Sequence, residues 1–177
     1  MKASAIPLRT TIPFAVLSCL ALWLSACGRT KNPESPSPIG DSMLIEPRVR
    51  VGKIRAGMTP DQIEQVLGRP KDKTLEGTLF YPELGFLVSF RGGVVSVVNC
   101  ETPAAMLFPD AKEFKGRTKE GVGMGSTRDE LIKAFGQPSK VVNYRGSEFL
   151  DYHERWLTFV LTDGKVQRIR IALQAMP

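Results

Sequence analysis

Gly57-Met58-Thr59-Pro60-Asp61-Gln62-Ile63-Glu64-Gln65-Val66-Leu67-Gly68-Arg69-Pro70 returns further along as Gly125-Ser126-Thr127-Arg128-Asp129-Glu130-Leu131-Ile132-Lys133-Ala134-Phe135-Gly136-Gln137-Pro138. Gly, Thr, Asp, Gly and Pro coincide, and the apolar positions 63, 66 and 67 match 131, 134 and 135. An internal repeat decides how the whole chain is organised, so it is read before anything else. Each copy spells a short helix. Thr59 and Thr127 are N-caps, with Gln62 and Glu130 placed to reach back to the cap backbone. Pro60 suits the first helical position, which needs no amide hydrogen. Gly68 and Gly136 suit the left-handed residue past the helix, and Pro70 and Pro138 stop continuation. Every residue of the repeat has a structural role, and none is needed for chemistry.

Alternating apolar residues follow each helix. In the second copy Leu157, Phe159 and Leu161 precede Thr162-Asp163-Gly164, and Gln167, Ile169, Ile171 and Leu173 follow it. A two-residue Asp163-Gly164 loop would pair Leu161 with Val166 and turn Arg168 and Arg170 onto the face of Leu157 and Phe159. A three-residue loop closed by Gly164 pairs Leu161 with Lys165 and gathers Leu157, Phe159, Leu161, Ile169 and Ile171. A one-residue slip exchanges the faces of a strand, so the clean apolar face selects the longer turn. The same turn through Arg91-Gly92-Gly93 unites Leu84, Phe86, Phe90, Val94, Val98 and Cys100. An earlier strand is expected in each copy, around Leu75 to Tyr81 and Val141 to Tyr152.

These signals predict an α+β fold of two tandem repeats, each a short helix packed on one face of a three- to four-stranded antiparallel sheet. Repeat 1 spans residues 48–102, and a connector with repeat 2 spans 103–177. Gly-Met-Thr, a short amphipathic helix, Gly-x-Pro, then Tyr and a strand hairpin resembles the SmpA/OmlA (BamE-like) family of envelope lipoproteins. Two such units in tandem also resemble the β-lactamase inhibitory protein fold. The resemblance covers about residues 50 to 173. It implies a helix-backed antiparallel sheet whose other face, or edge loops, binds a protein, and a role in outer-membrane β-barrel assembly. The family carries one unit where this chain has two.

On the chosen register the face away from the helices carries Leu87, Ser89, Val95, Val97 and Asn99. The second copy adds Trp156, Thr158, Val160, Val166, Arg168 and Arg170. A Trp beside two Arg and several Val has the composition of a binding patch. The candidate protein-binding residues are Trp156, Arg168, Arg170, Val160, Val97 and Leu87. Cover of this face by the linker from Glu101 to Val122 is the alternative.

The N-terminus supplies an address. Lys2 and Arg9 precede an apolar run from Phe14 to Leu24, and Leu24-Ser25-Ala26-Cys27 ends it. This is the layout of a secretory signal peptide over residues 1–27. Its end resembles a bacterial lipobox, which implies a diacylglyceryl group on the Cys27 thiol, hence a membrane partner through lipidated Cys27. Pro13 and the short run argue against an uncleaved span. Gly28 stands where aspartate would retain such a protein in the inner membrane, so a two-membrane source predicts the periplasmic face of the outer membrane. From 28 to 47 the chain is rich in Pro and Ser, as in Asn32-Pro33-Glu34-Ser35-Pro36-Ser37-Pro38. It reads as a tether.

Composition narrows the function further. Without Lys2 and Arg9 the net charge falls from +6 to +4, and no Lys/Arg block is present, so nucleic acid is not an expected partner. Of three cysteines, Cys19 leaves with the signal and Cys27 carries lipid. Cys100 alone makes no internal disulfide and reads as a small buried hydrophobe. One histidine, His153, is too few for a zinc site. Glu148, Asp151, His153 and Glu154 cluster before Trp156, a pattern more often found at a solvated strand end than at an acid/base centre. Gly121-Val122-Gly123-Met124-Gly125-Ser126-Thr127 lacks the lysine of a phosphate loop, and Gly57 matches its Gly125. The expectation is a non-catalytic cell-envelope lipoprotein with no cofactor and no metal. It acts as a protein-interaction module in outer-membrane assembly or maintenance. An inhibitor or sensor of an envelope enzyme, and a binder of cell-wall fragments or another small ligand, remain open.

Overall fold

Thr59 and Thr127 open the two helices among the described residues, α1 (Pro60–Leu67) and α2 (Arg128–Phe135). Thr59 Oγ1 accepts from Gln62 N at 3.4 Å while Gln62 Oε1 accepts from Thr59 N at 3.0 Å. Thr127 and Glu130 repeat the arrangement at 3.3 and 2.8 Å. Both helices are too short to persist alone, so their stability comes from one buried stripe. Ile63 in α1, and Leu131 and Phe135 in α2, supply it. Tyr81 Oη donates to Gly68 O and Tyr152 Oη to Gly136 O, each at 3.1 Å, tying each helix end to the second strand after it.

The computed structural model describes residues 43–174 apart from 75, 107 and 109. The signal segment, Cys27 and residues 28–42 of the expected tether lie outside the described residues. That tether was expected to reach Pro47, but β1 (Leu44–Glu46) already belongs to the fold, with Ile45 fully buried.

The expected two tandem helix-on-sheet repeats, each with its own sheet, do not form. The described chain is mostly strand, arranged as one sheet of four strands and one of eight. The small sheet takes β2 (Arg50–Val51), β3 (Ile54–Arg55) and β8 (Arg117–Thr118) alongside β1. The large sheet takes β4 (Asp72–Lys73), β5 (Leu79–Tyr81), β6 (Phe86–Arg91) and β7 (Val94–Glu101) from the first copy. From the second it takes β9 (Lys140–Tyr144), β10 (Ser147–Tyr152), β11 (Leu157–Thr162) and β12 (Lys165–Ala172). Its order is β4-β5-β6-β7-β12-β11-β10-β9. The physical reason is edge satisfaction. Separate sheets would leave β7 and β12 with a row of unpaired backbone groups. Instead they pair antiparallel, from Arg168↔Glu101 to Ala172↔Val97.

The hairpin register also differs from expectation. Asp163 and Gly164 form a two-residue loop with φ of 51° and 71°, so Leu161 faces Val166 rather than Lys165. Positive φ at both positions is the turn whose twist matches the flanking strands. The extra residue needed to keep the apolar face sits inside the strand, as a bulge at Gln167 between the pairs Leu161↔Val166 and Val160↔Arg168. Leu157, Phe159, Leu161, Ile169 and Ile171 therefore still share the core, and Val166 joins them instead of lying on the opposite face. Gly92-Gly93 behaves the same way. A bulge at Ser96 gives the inner place to fully buried Val95, expected outside, while Val94, expected inside, is only half-buried.

Candidate functional site

Alternation along β10, β11 and β12 puts one set of side chains on the sheet face away from α1 and α2. Register then arranges them in rows across the strands. One row runs Asp151, Thr158, Arg170, Asn99, and the next runs Phe149, Val160, Arg168, Glu101. Neighbours in a row stand about 4.8 Å apart in backbone terms. With Trp156 and Ala172 closing one end, these rows, Glu101 apart, bound a pocket of about 400 Å³. That size suits a small ligand or one side chain of a partner.

Of the six residues expected to bind a protein, Trp156, Val160, Arg168 and Arg170 line this pocket. Val97 lies on the same face but is only 5% exposed. It borders a smaller hollow of about 310 Å³ that also touches Arg170 and Asn99. Leu87 faces the same way, paired with Asn99 and Phe80, outside the pocket. The connector covers one corner of the face. Phe108 packs on Phe80 with ring centres 5.3 Å apart, and Ala105 O accepts from Arg168 Nη2 at 3.4 Å.

Arg168 also forms an ion pair with Glu101, whose side chain is 5% exposed. Burial pushes the Glu101 carboxyl above its ordinary range, and the Arg168 guanidinium pulls the other way. Cys100 is fully buried beside it, and burial first, then the Glu101 charge, raise its thiol well above the usual value. That is the environment of an inert thiol.

Trp156 is held by an unusual backbone. The 3₁₀ turn His153–Arg155 ends on Trp156 at φ 61°, a left-handed position that side chains seldom occupy. Arg48, itself at φ 66°, lies over the indole with its guanidinium carbon 4.7 Å from the ring centre. Sequence reasoning singled out Trp156 but missed Arg48, which lay within the assigned first repeat and carried no local signal. It also missed Phe149, because the strand from 141 to 152 was expected without defined edges.

The acidic cluster separates. Asp151 and His153 line the pocket, whereas Glu148 points to the helix side and pairs with Arg128 at 3.1 Å. Among the described residues no three His, Cys, Asp or Glu side chains come together to hold a metal. Ser126 Oγ accepts from Gly123 N at 3.2 Å and Thr127 caps α2, so both hydroxyls serve the turn into the helix. No described helix is long and apolar enough to cross a membrane.

No protein-family model matches this chain, and no curated protein matches it. Among solved structures it is similar to a DUF4309 family protein, YjgB, from Bacillus subtilis subsp. subtilis str. 168. The TM-score is 0.44 and the identity 14%, over 66% of this chain and 78% of that one.

Proposed function

We propose that this protein is a lipid-anchored, non-catalytic binding module of the cell envelope, held to the membrane through Cys27 and serving outer-membrane assembly or maintenance. The observation that carries the binding role is the gathering of Trp156, Val160, Arg168 and Arg170 around one pocket on the sheet face that α1 and α2 leave open. Aromatic and arginine side chains over a short apolar floor are the residues that dominate interface energies. The address rests on Leu24-Ser25-Ala26-Cys27 and on the resemblance of the Gly-Met-Thr repeats to envelope lipoproteins. A second reading, capture of a small envelope ligand, is favoured by the pocket itself.

Photo-crosslinking in intact cells tests the binding face. A reactive residue at position 156, 160 or 168 is compared with one at exposed Gln65 on α1. Position 97 is left out because its side chain is buried. A discrete adduct from the sheet positions and none from position 65 is expected, and mass spectrometry then names the partner. Adducts no stronger than the control would sink the proposal.

A further inference from the structure

The two edges of the large sheet are equivalent strands of the two copies, and they are built differently. Asp72 of β4 pairs with Phe80 of β5, and Lys140 of β9 pairs with Asp151 of β10. Phe80 and Asp151 each directly precede the tyrosine that holds its helix end. Asp72 therefore matches Lys140, and Lys73 matches Val141. In the first copy the strand stops there. Gly77 N donates to Thr74 O at 2.9 Å in a turn, and the edge is two residues long, both charged. A short edge that carries lysine is one way a sheet refuses further strands. In the second copy the strand runs on through Val142, Asn143 and Tyr144.

β9 carries none of those defences along its length. It ends the sheet order, all five of its residues are exposed, and its ladder has neither proline nor bulge. Of the five large hydrophobic side chains exposed among the described residues, Val141, Val142 and Tyr144 fall on this strand, at 41%, 41% and 58%. Arg145 and Gly146, at φ 49° and 78°, close a two-residue turn on the pair Tyr144↔Ser147. Such a turn makes its closing pair a hydrogen-bonded one, so Tyr144, Val142 and Lys140 direct their backbone groups to β10. Val141 and Asn143 direct theirs outward, where no strand among the described residues meets them.

We infer that β9 pairs antiparallel with β9 of a second copy of this chain, about a two-fold axis at Val142. Val141 of each copy then exchanges both backbone hydrogen bonds with Asn143 of the other, so the outward groups are matched. Val142 meets its own counterpart. Lys140 meets Tyr144 of the second copy, a ring that already takes the Arg145 guanidinium carbon 5.2 Å from its centre. Lys140 brings an acid with it, since Asp151 stands opposite in the ladder. An axis at Val141 would set Lys140 against Val142, and one at Asn143 would set Val141 against the turn. The strand is thus its own best complement in one register. The row Val160, Phe149, Val142 runs from the pocket to this edge, and the axis continues it into the same row of the second copy. The charged, two-residue β4 offers no second joint, so pairing closes at two copies instead of running on as a filament. Both pockets then open on one side of the joined sheet, their β11 strands five spacings, about 24 Å, apart. Two linked sites gain avidity for a partner that presents its epitope twice. The seam is small, which places the dimer in the weak class.

The test uses the full chain in detergent micelles, with single cysteines introduced as Val142→Cys, Tyr144→Cys or Gln65→Cys and the parent alongside. The proposed axis brings the two Cα atoms at position 142 to about 4.5 Å, within disulfide span. It leaves those at position 144 about 14 Å apart along the strands. Mild oxidation should therefore link Val142→Cys into a reducible dimer at least about tenfold faster than Tyr144→Cys or Gln65→Cys, with no such product from the parent. Sharing of a micelle would speed all three alike. In sedimentation the parent should show a dimer by about 100 µM, as weak interfaces do. Val141→Lys with Val142→Lys, which gives β9 the charge of β4, should raise the dissociation constant by about tenfold or more while thermal unfolding stays near that of the parent. Equal linking rates at the three positions, a monomeric parent at about 100 µM, or a dimer that survives the lysines overturns the inference. So does oxidation in intact cells that joins Val142→Cys to a different protein in place of a second copy. Cross-linking from positions 156, 160 and 168 reads the open face and is independent of this edge.

Discussion

Glu101 shows how one side chain is set by its surroundings. Its position on β7 turns it to the open face, but the connector and Arg168 cover it, so its side chain is 5% exposed. A carboxyl whose folded-state pKa is raised gives stability that is present below its unfolded-state pKa and is lost as pH rises through the folded value. Burial raises Glu101, so its contribution falls from the ordinary carboxylate range upward. Glu101→Gln removes that slope. Urea unfolding of the two proteins at about pH 4 and about pH 7 should show wild type losing ground to the variant as pH rises. Wild type gaining ground would mean that the Arg168 pair outweighs burial. Arg168, flanked by the Glu101 carboxylate and Ala105 O, serves this corner of the fold as well as the pocket.

At the scale of elements, the helices are capped so fully that their limits could be read directly from spelling. Thr59 with Gln62, and Thr127 with Glu130, each satisfy two backbone donors that the first turn would otherwise leave to water. Thr59→Ala and Thr127→Ala should each lower stability by about 1 kcal/mol. The two losses should add in the double variant, because the sites lie on different helices. A loss below about 0.3 kcal/mol, measured by denaturant unfolding, would show that packing of Ile63 and Leu131 holds the helices without their caps. Hairpins were less legible. Leu157, Phe159, Leu161, Ile169 and Ile171 revealed which residues share a face. Alternation alone did not distinguish a longer loop from a two-residue loop with a bulge at Gln167. Both arrangements leave those five side chains inside, and they differ in Val166, which only the bulged register buries.

For the whole molecule, β7 against β12 is the decisive joint. Five residue pairs connect the copies there, and one apolar cluster runs from Ile63 of the first to Phe135 and Phe159 of the second. The small sheet adds β1 and β8 from well-separated parts of the chain, in parallel register Leu44↔Arg117 and Ile45↔Thr118. A shared sheet and a shared core predict one cooperative transition. Ile169→Ala, at a fully buried site facing Cys100, should cost about 2–5 kcal/mol. It should lower the midpoint reported by Trp156 and by amide exchange in β5 and β6 equally. Separate midpoints for the two copies would show that each stands alone, as tandem repeats with their own sheets would.

The amino-acid sequence by itself determined the two capped helices, the alternation that sorts core from open face, the burial of Cys100, and the nomination of Trp156, Val160, Arg168 and Arg170. These follow from interactions a few residues long: a cap to its third neighbour, a strand residue to its second. Tertiary structure alone decided that two predicted sheets become one, that Val97 is buried on the open face, and that Phe108 covers the first half while Arg48 stacks on Trp156 in the second. Each of those depends on which exposed strand edge meets which, a choice between residues far apart in the chain. Local hydrogen bonding and alternation leave the candidate edges alike, and only the closing of a common core separates them.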